Sequence, residues 1–183
     1  YIGLLCDQKG CDLILNSLPS LFNDKNVQVV ILGEGDPLYE KSLSTVAGTY
    51  PGNMVVVLDF DETLAHQIQA SADILLMPSR FEPCGLTQLY SLRYGTIPIV
   101  HHTGGLADTI VDTTERSLQN HTATGFKFYK DSSSDFLKTV QRAIQLYQSS
   151  KSKWQQIMTT AMKQEFSWDN SADQYSKIYQ GLI

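Results

Sequence analysis

Short, continuously apolar runs constrain this chain more than any other feature. Ile2–Cys6, Val27–Leu32, Met54–Leu58, Ile74–Met77 and Ile97–Val100 are of strand length and lack the polar alternation of a half-exposed sheet. Strands that read this way are buried on both faces, as in parallel sheets covered by helices. Between them lie Asp12–Phe22, Pro37–Ala47, Glu62–Ser71 and Gly85–Tyr94, each long enough for two or three helical turns. The punctuation agrees. Gly33-Glu34-Gly35-Asp36 turns the second run into a helix, and Asp61 or Asp59 can cap the third helix. This alternation predicts an α/β fold, a doubly wound, Rossmann-like parallel sheet with right-handed crossovers.

Beyond about residue 127 the pattern turns helical. Ser132-Ser133-Ser134-Asp135 reads as a helix start, with Phe136, Val140, Ile144 and Tyr147 at helical spacing. Lys151–Gln164 and Ala172–Leu182 read as two further C-terminal helices, and Trp154, Trp168, Tyr175 and Tyr179 are expected to pack on the sheet or on a neighbour. At 183 residues the whole is the size of one domain. The opening Tyr-Ile-Gly-Leu-Leu-Cys has no initiator Met and no polar lead-in, so the chain is expected to be cut from a longer protein.

A doubly wound sheet binds ligands beyond the carboxyl ends of its strands. That places function in Asp7–Gly10, Gly33–Asp36, Asp59–Asp61, Ser79–Thr87 and His101–Gly105. The densest of these is Pro78-Ser79-Arg80-Phe81-Glu82-Pro83-Cys84-Gly85-Leu86-Thr87-Gln88-Leu89-Tyr90. The amides of Gly85, Leu86 and Thr87 are expected to be the unpaired first-turn donors of a helix, a ready seat for phosphate. Glu82, held by Pro83, is placed to accept from sugar hydroxyls; an ordinary acidic helix cap is the competing reading. Thr103-Gly104-Gly105 is either a second anion-facing nest or a tight turn, and Lys9 either a phosphate ligand or a solvated charge. His101 and His102 point to opposite faces of a strand, so no shared metal site is expected there.

Composition narrows the partners. Lys plus Arg number 14 against 19 acids, a net charge of -5, which argues against a nucleic-acid module but not against a small anion at a locally positive site. No apolar run reaches the ~18 residues of a membrane-spanning helix. Cys6, Cys11 and Cys84 are too few for a disulfide framework, which suits a reduced compartment. No Gly-x-Gly-x-x-Gly follows the first strand, which argues against a dinucleotide-dependent dehydrogenase.

The ordered set Gln8-Lys9-Gly10, Ser79-Arg80-Phe81-Glu82-Pro83-Cys84-Gly85-Leu86-Thr87-Gln88-Leu89, Arg93-Tyr94-Gly95-Thr96-Ile97-Pro98, Thr103-Gly104-Gly105-Leu106 and Phe166-Ser167-Trp168 resembles the bacterial glycogen synthases and plant starch synthases. These are retaining glucosyltransferases of family five with the two-lobed GT-B architecture. The resemblance implies that residues 1–183 are the carboxy-terminal, nucleotide-sugar-binding lobe of an enzyme extending α-1,4-glucan from ADP-glucose. By that likeness Lys9 neutralises the distal phosphate and Glu82 holds a hydroxyl of the donor glucose. Cys84 lines the sugar pocket, Gly85, Leu86 and Thr87 donate to the diphosphate, and Thr103, Gly104 and Gly105 complete the wall. Phe60 stands where the family usually stacks a tyrosine on adenine. No cofactor and no metal are implied. The implied partners are ADP-glucose, an α-glucan acceptor and the protein's own amino-terminal domain, with no nucleic acid and no membrane. The implied location is the bacterial cytoplasm or a plastid stroma.

Three departures accompany the likeness. Leu4 occupies the position of a family arginine five residues before the lysine, Tyr90 stands where other retaining GT-B enzymes carry a second glutamate, and His101-His102 replace basic residues. Without the amino-terminal lobe, with its acceptor groove and catalytic histidine, the lone chain is expected to bind nucleotide weakly and transfer nothing. Two other readings stay open on the residues: a retaining GT-B enzyme with another sugar nucleotide, and a non-catalytic paralogue that binds glucan or a partner.

Overall fold

The computed structural model describes residues 1–182, the side chain of Asn170 excepted. In chain order the elements are α1 (Cys11–Leu21), β1 (Val29–Leu32), α2 (Pro37–Thr49), β2 (Met54–Val57), α3 (Glu62–Ser71), β3 (Ile74–Met77), α4 (Thr87–Tyr94), β4 (Ile97–His101), α5 (Gly104–Thr109), α6 (Glu115–Gln119), β5 (Phe126–Phe128), α7 (Ser133–Ser149), α8 (Lys151–Met162) and α9 (Trp168–Gln180). All strand pairs are parallel: β1 with β2, and β3-β4-β5 in that order. Strands joined by helical crossovers can pair in no simpler way. The α/β, doubly wound expectation is met.

Local chemistry explains where the helices begin. Asp36 accepts from the Leu38 amide and Pro37 fills the first helical position of α2. Asp61 caps α3 through the Leu64 amide, and Ser132 caps α7 through that of Asp135. α7 touches both β4 and β5, and α4 and α8 also reach β4. Ile97, Ile99 and Val100 are fully buried, which is why this run carries no alternation. Phe126, Phe128 and Phe136 are fully buried beside it. Each contributes about 2–3 kcal/mol of apolar burial.

Three expectations need correction. Ile2–Cys6 does not form a strand; it makes two isolated parallel bridges, Ile2 to Leu32 and Leu5 to Gly35. Between them Gly3 takes φ +149, and Gly33 lies so close that a Cβ there would sit 1.9 Å from the Gly3 carbonyl oxygen. The crossing of two glycines replaces a regular ladder. α4 begins at Thr87 rather than Gly85, because Gly85 takes the left-handed φ of +74, which no helix can include. α9 begins at Trp168, ahead of the expected Ala172. β5 and the short helices α5 and α6 complete the set.

Candidate functional site

The loops at the carboxyl ends of the strands are stitched together from the inside. Gly10 lies so close to β3's end that a Cβ there would meet the Pro78 carbonyl oxygen at 2.3 Å. The Arg80 amide donates to the Gln8 carbonyl at 2.8 Å. The Arg80 guanidinium grips Asp12 through two bonds of 2.7 and 2.8 Å, and its Nε bonds Asp131 at 2.8 Å. Bidentate pairing of this kind fixes orientation as well as proximity. It holds the Asp12 carboxyl below its ordinary range and pushes the Arg80 guanidinium further up. Arg80 is therefore a clamp whose charge is already matched.

The clamp delivers Lys9 to Glu82. Lys9 Nζ lies 2.5 Å from Glu82 Oε2, across 73 positions of sequence. The glutamate side chain is 11% exposed and the lysine 28% exposed, so both heads remain reachable from one side. Ser79 Oγ donates to the same oxygen at 3.2 Å. The ring of His101 reaches the Ser79 carbonyl through Nδ1 at 3.2 Å and stacks on Phe128, while His102 leans on Tyr129. Among the described residues no three of His, Cys, Asp and Glu gather closely enough to hold a metal ion.

Beyond Glu82 the chain turns through Pro83, Cys84, Gly85 and Leu86 into α4. No backbone or side-chain acceptor among the described residues takes the amides of Gly85, Leu86 or Thr87. Gly85 is left-handed and Leu86 right-handed, the alternation that converges successive N–H groups on one point. With the eight-residue α4 behind it, this turn presents a concentration of positive dipole. Cys84 is exposed, with its thiol near the Gly85 carbonyl.

The second glycine turn lies against the first. A Cβ on Gly104 would sit 2.2 Å from the Glu82 carbonyl oxygen, and one on Gly105 2.1 Å from that of Cys84. The Gly105 amide donates to the Glu82 carbonyl at 2.9 Å, and Thr103 Oγ1 to that of Arg80 at 3.3 Å. Alongside, an open cleft of about 490 Å³ is lined by Leu4, Gly33, Asp59, Phe60, Thr87 and Tyr90 among others. Phe60 is highly exposed there, and Thr87 belongs to both the turn and the cleft. The structure thus brings Lys9, Glu82, Cys84 to Thr87 and Thr103 to Gly105 into one cluster, with Phe60 across the adjoining cleft.

The sequence profile of glycosyl transferases group 1 matches residues 1–158. The chain belongs to that family. It is 52% identical over its full length to glycogen synthase 2 of Nitrosococcus oceani and 47% identical to the glycogen synthase of Hydrogenovibrio crunogenus. It spans 37% of the length of each of those relatives. The catalytic domain of Starch Synthase IV from Arabidopsis thaliana, bound to ADP and acarbose, superposes with a TM-score of 0.87 at 33% identity, over 98% of this chain and 37% of that one. Anabaena Alr3699/HepE in complex with UDP and glucose shares the fold at a TM-score of 0.73 and 16% identity, covering 98% of this chain and 47% of that one.

Within this glycosyl transferase lobe two residues carry more than sequence reasoning assigned them. Arg80 was part of the motif without a role, and its three carboxylate bonds give it one. Gln88 is wholly buried at the start of α4. No spacing announces either, since both act on partners distant in sequence or on backbone carbonyls.

Proposed function

We propose that this chain is the donor-binding lobe of a retaining glucosyltransferase that extends an α-1,4-glucan, taking glucose from ADP-glucose. The observation that carries the reading is the Lys9–Glu82 pair set beside three unpaired amides at one turn. A sugar nucleotide has complementary chemistry: an anionic diphosphate next to a ring of hydroxyls. The amides of Gly85, Leu86 and Thr87 bind the diphosphate, and Lys9 leaves Glu82 to neutralise the distal phosphate as negative charge develops on the departing nucleoside diphosphate. Glu82, released from its pair, accepts from a glucose hydroxyl. Cys84 and the turn Thr103-Gly104-Gly105 bound the sugar, and Phe60 offers a stacking face to the base across the cleft. No metal or other cofactor is required by this arrangement of donors and charge.

The remaining part of the protein supplies the acceptor groove. Every described side chain of α9 except Ser171 is exposed, including Trp168, Tyr175, Ile178 and Tyr179. A stripe of that kind suits packing against the amino-terminal domain of the same protein. The lone lobe then transfers nothing, and catalysis needs both lobes closed on donor and glucan. No helix among the described residues is long and apolar enough to cross a membrane. The cytoplasm of a bacterium, or a plastid stroma, is the setting that goes with this role.

Calorimetry on the full-length protein tests the site. ADP is expected to bind and Lys9→Ala to weaken it about tenfold or more, as for loss of a charge-assisted contact. Binding of ADP unaltered by Lys9→Ala would overturn the reading.

A further inference from the structure

We propose that Gln88 is the positioning residue that aims the amides of Gly85 and Leu86 at the donor's diphosphate, an inference that rests on the donor-site reading above. Gln88 is 0% exposed, and its Nε2 donates to the carbonyl oxygens of both Cys84 and Gly85 at 2.9 Å. In a trans peptide the carbonyl and the following N–H point in opposite directions, and no peptide bond among the described residues is cis. Two carbonyls drawn inward therefore turn the N–H groups of Gly85 and Leu86 outward. Those are two of the three amides at this turn that meet no acceptor among the described residues.

The other end of the same side chain shows how specific the arrangement is. Gln88 Oε1 is buried and has no hydrogen-bond partner among the described residues. It occupies the space a side chain at position 85 would need, since a Cβ there would lie 2.4 Å from it. The amide cannot satisfy both ends at this place, and Oε1 goes unpaired while Nε2 reaches both carbonyls. Buried polar atoms are nearly always paired, so an exception asks for a reason. Holding two backbone dipoles in a fixed direction is that reason. Nε2 also lies 3.5 Å from Thr109 Oγ1, whose hydroxyl donates to the Gly105 carbonyl at 2.6 Å. Both glycine turns are thus referred to one buried amide.

The test uses the full-length protein and calorimetry with ADP and with adenosine, which lacks the phosphates. Gln88→Met keeps the length and volume and removes the donor. ADP affinity is expected to fall about tenfold or more while adenosine affinity changes less than twofold. Equal losses for the two ligands, or an unchanged ADP affinity, would overturn the inference. Lys9→Ala separates the two levels: if it weakens ADP and Gln88→Met does not, positioning falls and the donor site stands; if neither weakens ADP, both fall. A second measurement needs no variant, should Gln88→Met fail to fold. In residue-resolved amide hydrogen exchange, Gly85 and Leu86 are expected to exchange fast in the free protein and at least tenfold slower with ADP. Protection of both amides before ADP is added would overturn the inference.

Discussion

Two glycine-bearing turns sit side by side at the same edge of the sheet, and they use glycine for different ends. Cys84-Gly85-Leu86 has its carbonyls tied inward and its amides free. In Thr103-Gly104-Gly105 the two glycines are pressed on the backbone of Glu82 to Cys84, and the Gly105 amide is already donated to Glu82. In sequence the two look alike, each a strand end followed by glycine and a helix. The difference teaches that the role of a glycine turn is set by where its amides go: Gly105 donates its own to the neighbouring turn, whereas Gly85 and Leu86 meet no acceptor among the described residues.

The largest expected effect comes from disturbing the buttress. Gly105→Ala drives a Cβ to within 2.1 Å of a backbone oxygen, and backbone has no rotamer to escape into. Thermal unfolding of the full-length protein should show a loss of about 3 kcal/mol or more, with ADP binding lost in parallel. A stable, fully binding variant would break the comparison. Next, Leu4→Arg adds a cation to the cleft that adjoins the proposed donor site. Leu4 is half-exposed and lines the same cleft as Thr87. ADP affinity should rise by about 1.5–3 kcal/mol, the worth of a hydrogen bond to a charged group, read by calorimetry. No gain would mean that the cleft lies outside the arginine's reach of the phosphates. Smallest is Thr103→Val, which removes the 3.3 Å bond to the Arg80 carbonyl. Stability should fall by about 1 kcal/mol and ADP affinity by no more than about threefold. A larger loss of affinity would move the second turn from buttress to ligand contact.

Much of this architecture was legible from the residues. Ile74–Met77 is read to the residue, and of the two aspartates offered as the cap of α3, Asp61 or Asp59, the structure uses Asp61. β5 escaped because Phe126-Lys127-Phe128 is too short to carry a period and is apolar only at two of its positions. The first apolar run misled because pattern alone does not report how closely Gly3 and Gly33 cross. At the candidate site, residue types pointed to the edge where the structure gathers Lys9, Glu82 and the two glycine turns, since polar and glycine residues collect where parallel strands end. The Lys9–Glu82 pairing was not legible, because 73 positions separate the partners and tertiary contacts, the Arg80 clamp and the Gly10–Pro78 approach among them, bring their loops together. Gln88 stood inside the motif that carries the resemblance but without a role: a glutamine in a helix's first turn is ordinary until one knows which carbonyls come within its reach.

The two tryptophans of the chain lie in opposite surroundings, and that gives the lobe a built-in optical reporter. Trp154 is 4% exposed against Phe126, whereas Trp168 at the head of α9 is 82% exposed. Emission from the second should be red-shifted and open to collisional quenching by iodide, while the first stays blue and shielded. Docking of any partner on α9 would convert the accessible fluorophore into a second shielded one. Such docking could then be followed in solution by light alone, with neither label nor substrate.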